Sequence, residues 1–92
     1  MSFSKESAVE RAKQDLARRV GVSESDISAS VTDTDFPDMS LGAPEDGEMS
    51  AQMIASGWRI DLSAKGKKYE YRGNRDQLRL RGFNGTNYII ES

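Results

Sequence analysis

The sequence predicts one small α+β domain, a single N-terminal helix packed across an antiparallel sheet of about four strands. Three observations carry this prediction. The chain opens with apolar residues spaced three and four apart, continues with segments of strict apolar–polar alternation, and separates those segments with glycine-bearing turns. Its 92 residues have room for one domain, spanning 1–92, with one thin core.

The helix runs from about Lys5 to Val20. Val9, Ala12, Leu16 and Val20 form its apolar stripe, and Ala8 and Ala17 widen it. Ser4 is placed to cap its start, and Ser7 with Glu10 repeats the capping-box spacing one turn later. Gly21 follows as a C-terminal cap, with Arg18 and Arg19 in the last turn, where the helix dipole favours cations.

A capped turn at Ser23–Asp26 leads into Ile27–Thr32, which alternates as a half-buried strand does. From Asp33 to Ser50 the chain is polar and carries both prolines, Pro37 and Pro44, with Gly42 and Gly47. It reads as a loop longer than usual for a compact domain.

Strands resume at about Ala51. Trp58, Ile60 and Leu62 share one face, so the indole is expected to lie buried between sheet and helix. A turn around Lys65-Gly66 precedes Lys67–Arg72, where Tyr69 and Tyr71 face the core and Lys68, Glu70 and Arg72 face away. After Gly73–Asp76, Leu78–Arg81 alternates again. Residues 83–92 read as a loosely ordered tail, in which the Asn84-Gly85 turn signal and Tyr88-Ile89-Ile90 would suit a short strand.

Composition narrows function by exclusion. The chain contains neither Cys nor His, which removes disulfides, thiolate zinc sites and the usual nucleophile–base pairs. No catalytic residue, cofactor or metal site is assigned, and the protein is not expected to be an enzyme. A small hydrolase or isomerase ranks last among the readings. The alternating acids of Asp33–Asp38 lack the glycine and distal glutamate of a calcium loop and read as solvated. No apolar run approaches the ~20 residues of a membrane span. The N-terminus lacks the apolar segment of a signal peptide, so the chain reads as cytoplasmic as written, or as secreted or periplasmic if it is a trimmed mature fragment.

Charge is unevenly distributed. Between Gly21 and Ser50 eight acids stand with no Lys or Arg, whereas Arg59–Arg81 holds eight basic residues against Asp61, Glu70 and Asp76. Either the two segments neutralise each other or they form a bipolar surface that steers a charged partner.

The ordered string Pro37-Asp38-Met39-Ser40-Leu41-Gly42-Ala43-Pro44-Glu45-Asp46-Gly47, then Ala51-Gln52, then Ser56-Gly57-Trp58-Arg59-Ile60-Asp61-Leu62, then Gly66-Lys67-Lys68-Tyr69-Glu70-Tyr71-Arg72 resembles a family of small bacterial domains. That family's pattern is close to PDxSLGCPxPG, YAQ, GYxIxL and GxxYxYH. It is similar in layout to cystatin-like and PepSY-type domains. Ala43 stands where the pattern has Cys and Arg72 where it has His, so any disulfide or histidine role the resemblance implies is lost here. Gln52–Gly57 departs by one residue from the cystatin loop QxVxG and reads as the lead-in to a strand.

The resemblance and the long loop together point to a non-catalytic binding module for a protein or peptide, of peptidase-inhibitor or regulatory type. Its expected contacts are Phe36, Pro37, Met39, Leu41 and Pro44, apolar groups in an acidic loop, with Phe36 or Leu41 pinning the loop to the core. The alternative is single-stranded nucleic-acid binding through the basic sheet face, with tyrosines interleaved among Lys67, Lys68, Arg72, Arg75, Arg79 and Arg81. The acidic total, pI ≈ 5.1, ranks it lower.

Overall fold

A computed structural model describes residues 2–92. Helix α1 (Lys5–Val20) begins at a reciprocal cap: the Ser7 amide donates to Ser4 Oγ at 3.1 Å and the Ser4 amide to Ser7 Oγ at 2.9 Å. It ends at Gly21, whose φ of 72° turns the chain while its amide donates to the Ala17 carbonyl. Ala8, Ala12 and Leu16 are its buried stripe.

A 3-10 turn (Glu24–Asp26) leads into an antiparallel meander of five strands: β1 (Ser28–Phe36), β2 (Ala55–Ala64), β3 (Lys67–Gly73), β4 (Leu78–Phe83) and β5 (Thr86–Glu91). They lie side by side in chain order. The architecture is the expected one with an additional strand. β5 occupies the segment read as a loose tail. Asn84 and Gly85, with φ of 52° and 81°, make the hairpin turn, and register shifts against β4 break the alternation that would have marked the strand.

One face of the sheet packs against α1. Ile60, Leu62 and Ala64 of β2, Tyr71 of β3, and Leu78 and Leu80 of β4 form the core with the helix stripe, Phe3 and Ile27. The Tyr71 hydroxyl donates to Asp15 at 2.7 Å; burial, then that bond, pushes its pKa well above the ordinary phenol value.

Trp58 lies on this face but is only half-buried, a correction to the expected burial. It stands opposite Asp33 of β1 and Gly73 of β3, where an open cleft of about 490 Å³ is lined by Asp33, Asp35, Ser56 and Arg75.

β1 also differs from expectation, extending through the polar residues to Phe36. An edge strand exposed on both faces needs no apolar alternation, so its C-terminal half looked like loop. β2 begins at Ala55 rather than Ala51, and Gln52, Met53 and Ile54 precede it in solvent.

Candidate functional site

The segment 37–54 joins β1 to β2 and folds back over the sheet face opposite α1. We call it the strap. Phe36, Leu41 and Ala55 form a second small core at its base.

The strap's first turn is built around one carboxylate. Asp38 Oδ1 accepts from the Ser40 amide (3.0 Å), the Ser40 hydroxyl (2.6 Å) and the Gly42 amide (3.1 Å). The Ser40 hydroxyl and then the Gly42 amide hold its pKa below the usual carboxylate value. Leu41 and Gly42 follow with φ of 59° and 65°. A leucine pays for that backbone only where its side chain is anchored, and Leu41 is fully buried. A Cβ at Gly42 would lie 2.5 Å from Arg72 Nη1 and would push the guanidinium off the Leu41 carbonyl, and the positive φ favours glycine as well.

The sheet holds the strap from beneath. Arg72 Nη1 donates to the Leu41 carbonyl at 2.9 Å, its Nε donates to Glu70 at 2.6 Å, and its guanidinium lies 5.2 Å from the Phe36 ring centre. Arg79 donates to the Ala43 carbonyl at 3.1 Å and grips Glu48 through both carboxylate oxygens at 2.5 and 2.6 Å. It is 4% exposed, and it holds the Glu48 pKa down to about 2. Gln77 Nε2 reaches the Met39 carbonyl at 2.7 Å and Asn87 Nδ2 the Pro44 carbonyl at 2.8 Å. Glu45 accepts from the Ile89 amide at 2.8 Å.

The acidic and basic segments of the sequence therefore meet. The sheet face read as an open basic surface carries the strap over Arg72 and Arg79. Arg59 and Arg81, about half-exposed, stand 3.6 and 3.7 Å from Glu70, and Lys67 and Lys68 remain exposed. Alternation marks residues as facing away from the first core, and it cannot distinguish solvent from a second cover.

Of the expected contact residues, Phe36 and Leu41 are buried as plugs, while Pro37, Met39 and Pro44 are exposed. Met49, Met53 and Ile54 were missed: they are 96%, 63% and 75% exposed at the strap's return. Three large apolar residues in six positions were the available signal, obscured by reading a strand from Ala51. Asp33 pairs with Lys5 at 2.8 Å and Asp35 accepts from the Ser56 hydroxyl at 2.8 Å, so two of the acids read as a solvated run line an edge strand. The third, Asp38, is half-buried as the acceptor of the strap's first turn.

These features define a class: a one-helix, five-strand α+β domain whose second sheet face is covered by an ordered strap. Among the described residues no helix is long and apolar enough to cross a membrane. Residues 9–81 match a domain of unknown function (DUF8738), and the chain belongs to that family. The match takes in most of α1, the strap and β1–β3, and ends within β4. No curated protein and no solved structure matches the chain.

Proposed function

We propose that this protein is a non-catalytic binding module that offers the strap and its apolar return to a protein or peptide partner. The observation that carries the reading is a contrast. The strap is fixed from below by Arg72, Arg79 and Asn87, yet Met49, Met53 and Ile54 stand in water at its end. A loop ordered in advance loses less entropy on binding, and methionine adapts to varied apolar surfaces. The layout similar to cystatin-like and PepSY-type domains supports an inhibitory or regulatory role toward a peptidase or another protein. Engagement of Arg72 and Arg79 with the strap favours a protein partner over single-stranded nucleic acid.

The test compares wild type with the triple variant Met49→Ser, Met53→Ser, Ile54→Ser as baits, quantifying captured proteins by mass spectrometry. Circular dichroism and melting should match between the two baits, because these side chains are outside both cores. A protein captured by wild type and lost from the variant is the expected result. Identical capture by the two baits places the binding surface elsewhere.

A further inference from the structure

The two edges of the sheet are finished differently. β5 is bulged against β4, and its Ile89 amide is taken by Glu45 of the strap at 2.8 Å. β1 is nine residues long, pairs with β2 without a register shift, and contains no Pro, Lys or Arg. Seven of its nine residues are exposed, and Ser28–Thr32 carry no charge. Edges this long normally carry a proline, charged side chains, a bulge or a cover, because the outer row of backbone donors and acceptors is a template for another strand. Here the charges, Asp33 and Asp35, are confined to the C-terminal half, and Asp33 is paired with Lys5.

Beside β1 lies a groove of about 310 Å³ between strand and helix, in which Val9, Ala29 and Val31 are the apolar walls, with Lys5 and Glu6. Val31 is 36% exposed on the helix-facing side, opposite buried Ile60 across the β1–β2 pair.

We propose that β1 is a self-association edge, at which two copies of this chain pair β1 against β1 in antiparallel fashion about Val31. The strand's own pattern selects a second copy as the occupant. In that register Val31 meets Val31 of the second copy, and Val9 from each helix flanks the pair. Ser30 faces Thr32 and Ser28 faces Thr34 of the other copy, cross-strand pairs that favour sheets. Asp33 faces Ala29, so each acid meets an uncharged residue. Sliding the axis to Asp33 sets that carboxylate against its own copy, which is disfavoured; sliding it to Thr32 sets Val31 against Asp33. Both helices then share one face of a sheet that is continuous across the copies, with the straps on the other. This surface is separate from the strap, and the two readings stand or fall independently.

Sedimentation equilibrium of the full chain, from micromolar to millimolar concentration, tests the pairing. Wild type is expected to show a concentration-dependent dimer. Val31→Lys, which sets two ammonium groups face to face, should raise the dissociation constant by about tenfold or more. Because the chain lacks cysteine, Val31→Cys under mild oxidation should give a disulfide-linked dimer, while Ala29→Cys, which faces Asp33, should remain largely unlinked. A wild type that stays monomeric at millimolar concentration overturns the proposal and leaves the edge to a strand from another protein. Equal cross-linking at positions 29 and 31, or loss of the dimer in the strap triple variant rather than in Val31→Lys, overturns it as well.

Discussion

Replacing Arg79 with methionine keeps the apolar stem and removes the guanidinium that fastens the strap. The change abolishes the two-point grip on Glu48 and the bond to the Ala43 carbonyl. Stripping one partner from a buried ion pair costs about 3–5 kcal/mol when the survivor stays dry. Glu48 retains 23% side-chain exposure and can recover water, which lowers that figure. The lost carbonyl bond adds about 1 kcal/mol. A total of about 2–4 kcal/mol follows, against the about 5–14 kcal/mol expected for a chain of 92 residues. At about 2.1 cal/mol/K of unfolding entropy per residue, the melting temperature should fall by about 10–20 °C. The far-UV spectrum should be preserved, because the Arg79 side chain bonds the strap while its neighbours Leu78 and Leu80 point to the core under α1. The pH dependence sharpens the test. Glu48 titrates near 2 in the fold against an ordinary 4.5, so its contribution is complete above about pH 4.5 and fades as pH falls toward 2. Wild type and variant should therefore differ most near neutrality and converge in acid, measured by urea unfolding from pH 7 to pH 2.5. A loss below about 1 kcal/mol, or a difference constant across that range, refutes the view that this pair anchors the strap.

Two further substitutions probe the backbone. In Gly57→Ala the new Cβ would sit 2.2 Å from the Gly73 carbonyl oxygen and 3.1 Å from Asn74 Cβ. The β2–β3 pairing should be forced apart at that end, costing about 3 kcal/mol or more in thermal melts; a variant of wild-type stability would show that the strands have room to spread. In Asp38→Ala three donors lose their acceptor, and the Ser40 hydroxyl is left buried without that partner. Amide exchange at Ser40 and Gly42 should accelerate by about tenfold or more while amides of β2–β4 keep their protection, and unchanged exchange would remove the carboxylate from its role.

How much of this was legible in the sequence depended on how many faces each element presents. α1 was readable to its ends because one stripe faces a core and Ser4 and Gly21 punctuate it. β2, β3 and β4 were readable because Ile60, Tyr71 and Leu80 alternate with charged neighbours. The C-terminal half of β1 was not readable, since Asp33, Thr34 and Asp35 lie at an edge where solvent imposes no pattern. β5 was obscured by its bulges. At the candidate site, pinning by Phe36 and Leu41 followed from the cost of leaving them in water. The roles of Arg72 and Arg79 did not, because a guanidinium beneath a strap and one in solvent occupy the same place in an alternating strand. Trp58 was assigned to the correct face but not to its rim, which depends on where the sheet ends.

The strap's fastenings also impose an order of assembly. Leu41 is joined to Arg72, Ala43 to Arg79, Pro44 to Asn87 and Glu45 to Ile89, across separations of 31, 36, 43 and 44 residues. The helix and the hairpins from β2 to β5 close through short connections and can form early. The strap has nothing to dock onto until the strands bearing its partners exist. During synthesis Phe36 and Leu41 emerge well before Arg72, and the Glu45 carboxylate waits until residue 89 is made. For that interval the second core lacks its cover: β3 brings Arg72 to Phe36 and Leu41 first, and β5 completes the fastening at Pro44 and Glu45.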